Sequence, residues 1–109
     1  MADEATIYWT GQSGKKYQHW IYDLNISFKP GAGIYIFAKE TKPHSWSPVY
    51  IGQTSDLSER FDNHHAMKCA LRNGATHIHA HSNDNENRRL EEEMDLIEHW
   101  SPTCNLVGK

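Results

Sequence analysis

The sequence predicts an α+β fold, with a small central three-stranded, mainly antiparallel sheet flanked by helices and an N-terminal β-hairpin as an extension. Three observations carry this prediction. Aromatic and β-branched runs of strand length occur in the first half and again near residue 78; stretches of helical period occupy much of the second half; and Gly, Pro, Asn and Asp punctuate the joints between them. At 109 residues there is room for one domain with one modest core. Four Trp, five Tyr and three Phe help so short a chain to bury enough apolar surface.

Residues 6–22, "TIYWTGQSGKKYQHWIY", read as the hairpin, because two aromatic-rich runs flank a turn at Gly11 to Gly14. "GIYIFAKE" after Pro30-Gly31 is a buried strand, "KPHSWSP" a loop, and "VYIGQT" a second short strand ending at Gly52. "DLSERFDNHHAMKCALRNG" reads as a helix with Asp56 as N-cap, Glu59 completing a capping box and Gly74 as its stop. "ATHIHAH" alternates as an edge strand does, and "SNDNENRR" caps a last helix that ends before Pro102.

Composition excludes several classes. No apolar run approaches the roughly 18–20 residues of a membrane span, and "MADEATIYWT" lacks the basic and apolar regions of a signal peptide. Cys69 and Cys104 stand 35 apart without a CxxC pattern, so two free thiols in a reduced, cytoplasmic protein are expected. A net charge of −3 argues against a general DNA coat, whose affinity would come from phosphate neutralisation. Eight histidines supply ligands and donors near neutral pH.

Several polar residues fall where apolar ones are expected. On a helix over 87–100, Leu90, Met94, Leu96, Ile97 and Trp100 share one side, and Glu93 falls within that stripe; Glu91, Asp95, Glu98 and His99 lie opposite, with Glu92 at the border. Arg60 and His64, four apart, project toward the apolar side of the preceding helix, marked by Leu57, Phe61 and Met67. Tyr35 and Tyr50 interrupt apolar strand runs. Taken singly, these residues are consistent with a Glu93 ion pair to Arg60 or Arg89, a solvated Arg60/His64 flank, core tyrosines with satisfied hydroxyls, and Asn105 as a loop residue. Together they have the chemistry of phosphodiester hydrolysis: a carboxylate for a hard divalent cation, a guanidinium fork for phosphate, and phenols to handle a proton.

With these residues in view, the sequence resembles a GIY-YIG nuclease domain. Both naming tripeptides are present, Gly33-Ile34-Tyr35 and Tyr50-Ile51-Gly52, followed in order by Arg60, His64, Glu93 with Ile97 four residues on, and Asn105 after Pro102. The resemblance covers about residues 33–105. It divides the chain into a hairpin extension over 1–31, packed on the core, and a nuclease-like unit over 32–109. It implies a metal-dependent endonuclease acting on DNA, with Mg²⁺ or Mn²⁺ held by Glu93. Tyr35 would be the general base or would position the water. Arg60 would bind the scissile phosphate, and His64 would accept from or orient Tyr35. Tyr50 would hold the phosphate or the water network, and Asn105 would brace the site. Gly52, His65, Lys39 and Arg72 are further candidates for substrate contact, within a scattered rim that includes Lys15, Lys16, Lys42 and Lys68.

Two other classes stand beside this one. The first is a non-catalytic nucleic-acid-binding module of the same fold. The second is a histidine-based metal protein using His77, His79 and His81, which share one face of their strand. The implied partner is DNA, branched or otherwise structured, with a partner protein or a homodimer supplying specificity and no role for a membrane.

Overall fold

The computed structural model describes residues 5–59 and 64–106. Its strands are β1 (Thr6–Thr10), β2 (Lys16–Asp23), β3 (Gly33–Lys42), β4 (Ser45–Thr54) and β5 (His77–Ser82), and its helices α1 (Met67–Arg72), α2 (Glu86–Trp100) and α3 (Thr103–Leu106). The fold is α+β. The sheet, however, has five strands rather than three, all antiparallel, in the order β1-β2-β5-β3-β4. The hairpin is therefore part of the sheet itself: β2 pairs with β5, placing Trp20 opposite Ala80.

β5 is consequently interior. Its alternating histidines do not mark an edge strand, and His79 is fully buried. Period two signals two different environments on the two faces, which an interior strand can also have. β3 is likewise covered on both faces, which is why residues 33–38 form an unbroken apolar run. Tyr35 and Phe37 pack with Ile78, Leu57, Met67 and Ala70 on one face. Ile34, Ile36 and Ala38 pack with Trp9, Ile51 and Leu96 on the other. α1 and Cys104 thus close the first face and α2 the second.

The loop expected over residues 42–48 is shorter than predicted. β3 and β4 run on until Lys42 pairs with Ser45, and His44 turns the chain at φ 66°. β4 also continues past Gly52 to Thr54. The expected helix from Asp56 is, among the described residues, confined to Met67–Arg72. Asp56 instead accepts from the Ser58 amide at 2.9 Å and hydroxyl at 2.6 Å, while the Leu57 amide bonds Gly31 O. These local bonds divert the backbone from helix. Gly74, at φ +89°, does end α1 in the left-handed conformation that glycine favours.

α2 begins as expected, with Asn85 accepting from the Arg88 amide, but it buries a different face. Leu90 and Met94 are exposed, whereas Arg89 is 4% exposed and Leu96 is fully buried. Polar partners far away in sequence account for this rotation. Arg89 donates to Gln53 Oε1 and Asn83 O. Glu92, at the border of the expected stripe, turns Oε1 inward to within 3.2 Å of His81 Nε2, an ionic contact without a hydrogen bond. Asp95, expected in solvent, grips the hairpin: it accepts from the Ser13 amide, the Ser13 hydroxyl and the Tyr17 hydroxyl at 2.7–2.8 Å. Trp100 donates to Thr10 O at the other end of the same junction. No helix of the described residues is long and apolar enough to cross a membrane.

The expectation of two free thiols is overturned, because Cys69 on α1 and Cys104 on α3 form a disulfide. A cross-link spanning 35 residues restricts the unfolded chain, and in the chain-entropy model a loop of that size contributes about 3–4 kcal/mol. Urea unfolding with and without dithiothreitol is expected to register a loss approaching that size on reduction. An unchanged midpoint would contradict the cross-link's role.

Candidate active site

The site begins with a cross-strand pair. Tyr35 on β3 lies opposite Gly52 on β4, and the phenol passes over the glycine. A Cβ at Gly52 would sit 2.5 Å from Tyr35 Oη and 2.6 Å from Cζ, inside van der Waals contact. The final glycine of "YIG" is thus the space in which the tyrosine of "GIY" lies. Tyr50, one residue before the glycine's neighbour Ile51, is on the same face; its ring centroid is 6.1 Å from that of Tyr35.

His64 approaches both rings from the turn before α1, with centroids 5.4 Å from Tyr35 and 5.3 Å from Tyr50. Its hydrogen bonds identify the tautomer. The Ala66 amide donates to Nδ1 at 3.0 Å, so a neutral ring carries its proton on Nε2, and that proton points at Tyr35 Oη. Burial, reinforced by the neighbouring His65, lowers the His64 pKa to about 4, so the ring is neutral at pH 7. Of the two roles expected for His64, accepting from Tyr35 or orienting it, this tautomer has the ring donating to the phenol oxygen and so orienting it.

The two phenols also share a hydrogen bond. Because Tyr35 Oη already accepts from His64, its own proton is the one available to Tyr50. Tyr50 Oη in turn lies 3.3 Å from Nε2 of His65, an exposed ring stacked on His64 at 4.3 Å. A continuous line runs from His64 through Tyr35 and Tyr50 to His65. Burial raises the pKa of both phenols.

Glu93 is half-buried on α2, which lies along β3 and β4 on the face opposite the phenols. Its charge nevertheless reaches both tyrosines and helps to raise their pKa values. Glu59, which the sequence reading used only as part of a helix cap, also contributes to Tyr35. Its position beside Arg60 in the chain was the only sequence signal that could have identified it. Arg60 itself lies outside the described residues. Lys39 is on the exposed end of β3 beside Gly74, and Arg72 is in the last turn of α1; neither is among the groups acting on the two phenols.

Asn105, 9% exposed, contacts backbone rather than the phenols. Its Oδ1 accepts from Ile51 N and its Nδ2 donates to Ile51 O, both at 2.8 Å. This bidentate amide pairs with the outer edge of β4 as a sixth strand would, between the two residues that frame the phenols. The disulfide at Cys104 anchors the adjacent residue.

Each histidine of β5 on the opposite face has one ring nitrogen engaged, while His79 Nε2 is buried without a hydrogen-bond partner among the described residues. Trp9 Nε1 donates to His79 Nδ1 at 2.9 Å, His81 Nδ1 contacts Gln18 O at 2.8 Å, and His77 Nδ1 lies 2.8 Å from Thr76 Oγ1. A cleft of about 540 Å³ lies between the hairpin turn and α2, lined by Ser13, Lys15, Tyr17, Arg88 and Glu91 among others. It is away from Tyr35, and its Asp95 wall is occupied by bonds that fasten the hairpin. The hydrogen-bonded line of side chains is the one around the phenols. No family model, no curated protein and no solved structure matches the chain.

Proposed function

We propose that the chain is a metal-dependent endonuclease of the GIY-YIG type that hydrolyses DNA phosphodiester bonds. The observation that carries this reading is the meeting of Tyr35, Tyr50, His64 and His65 in one hydrogen-bonded line that also feels the charge of Glu93. A core tyrosine needs only one partner for its hydroxyl, whereas this array has donors and acceptors in sequence.

The array lets Tyr35 take a proton without first ionising. Its oxygen accepts from His64 with one lone pair and keeps another for a water molecule. As that water attacks phosphorus, its proton passes to Tyr35, Tyr35's own proton to Tyr50, and Tyr50's proton to His65 Nε2. His65 is exposed and releases it to solvent. The bond from phosphorus to the 3′-oxygen breaks as the bond to the water oxygen forms. Gly52 and Asn105 fix the distance between the two phenols.

The reading implies a single hard divalent cation, which Glu93 would hold. Glu93 presents a half-buried carboxylate whose charge is felt at the reacting phenols, and Mg²⁺ commonly takes one or two carboxylates with waters and phosphate oxygens as its remaining ligands. Bound there, Mg²⁺ or Mn²⁺ would supply charge stabilisation for the phosphate and its leaving oxygen. Arg60 is assigned the phosphate by the same reading.

The test is cleavage by the purified protein of supercoiled plasmid, single strands, flaps and junctions at low salt. Cleavage with Mg²⁺ or Mn²⁺ that stops with EDTA is the expected result. Binding without cleavage of any of them would assign the fold to a non-catalytic module, or to one that awaits a partner protein.

A further inference from the structure

On the sheet face that carries Tyr35, the hairpin presents Thr6, Tyr8, Thr10, Lys16, Gln18 and Trp20, paired across β1 and β2. α2 packs against the opposite face, through Trp9 and Leu96. Tyr8 is 59% exposed and Trp20 partly exposed; neither ring joins either core cluster, and no side-chain hydrogen bond or ring contact holds them among the described residues. Tyr8 and Trp20 are diagonal neighbours across β1 and β2, and contiguous exposed aromatic surface marks an interaction site. The patch also has no acidic side chain and includes Lys16, although the chain as a whole carries a net charge of −3.

Strand register links this patch to the site. Trp20 pairs with Ala80, Ala80 with Tyr35, and Tyr35 with Gly52, so the four occupy one cross-strand row. Adjacent strands are about 4.8 Å apart, which puts Trp20 roughly 10 Å from Tyr35 along the row. The residue between them is alanine. We propose that Trp20 and Tyr8 form a stacking platform for unpaired bases of single-stranded DNA, which leads the strand toward the Tyr35 site. This inference rests on the nuclease reading and specifies its substrate as DNA with an unpaired segment.

The chemistry favours a single strand over a duplex. A ring can stack only on a base whose face is free, and such stacking tolerates any sequence. Duplex affinity depends on neutralising many phosphates, for which the one lysine of this patch is a poor supply. Gln18 and the two threonines add hydrogen-bonding groups beside the rings.

The experiment is fluorescence anisotropy with a labelled short oligothymidylate in EDTA, so that no cleavage occurs, comparing wild type with Trp20→Ala, Tyr8→Ala and Trp20→Phe. Each alanine variant is expected to bind about 5- to 100-fold more weakly at an unchanged melting temperature, while Trp20→Phe stays within about threefold of wild type. The same oligonucleotide in a duplex should bind less well than the single strand. Three outcomes would overturn the proposal: alanine variants with wild-type affinity, preference for the duplex, or a change confined to the sedimentation coefficient, which would assign the patch to a second copy of the chain. Because binding is read without metal, failure here leaves any metal-dependent duplex cleavage standing, and absence of cleavage leaves this result standing.

Discussion

Gly52→Ala is expected to lower cleavage by about a hundredfold and stability by about 1–3 kcal/mol. The added methyl would fall where the Tyr35 phenol now lies, 2.5 Å from its oxygen, so the ring must move away from its cross-strand partner. That movement pulls Tyr35 off His64 Nε2 and off Tyr50, breaking the proton line at its centre. A merely structural pairing would lose stability with no matching loss of rate in the folded fraction. Chemical unfolding and single-turnover cleavage of the same preparation separate the two effects. Wild-type values for both would mean that Tyr35 does not need its observed position.

His19 and His79 together are expected to cost the protein about 4 kcal/mol of stability between pH 7 and pH 5, with half-buried His64 adding to the loss. His19 and His79 are fully buried, and burial pushes their pKa values to about 3. Unfolded, each would titrate near 6.5. Between about pH 6.5 and pH 3 the unfolded chain therefore binds more protons than the native one, and stability falls as pH falls. Each ring contributes roughly 2 kcal/mol of this loss at pH 5. The neighbours His77 and His81 oppose protonation further. Urea unfolding at the two pH values measures the change; a constant midpoint would mean that both rings are accessible to protons in the native state.

The candidate site was more legible in the sequence than the packing around it. Tyr35, Tyr50 and Gly52 sit in short strands whose apolar runs are plain, and two strands in register bring them together. The Asn85 cap and the Gly74 stop were readable because capping is a local interaction. The buried face of α2 was not legible. Its apolar pattern favoured Leu90 and Met94, but Ser13, Tyr17, Gln53 and His81 supply partners for Asp95, Arg89 and Glu92 from far along the chain. The Asp56 side chain likewise suited either a helix cap or a tight turn, and its bonds to Ser58 selected the turn. The insertion of β5 between β2 and β3 and the Cys69–Cys104 bond depend on contacts that no local pattern encodes. The direction of the His64 hydrogen bond depends on the Ala66 amide, which only the folded backbone places.

Glu93→Gln separates a catalytic carboxylate from a structural one with the least change of shape. The measurement is Mg²⁺-dependent cleavage of the best wild-type substrate by the two proteins at matched folded concentration. The proposed function predicts a fall of about 10²–10³-fold or more, with unchanged melting temperature and retained DNA binding. Cleavage by the glutamine variant at the wild-type rate, still stopped by EDTA, would contradict the assignment of the cation to Glu93 and with it the proposed site.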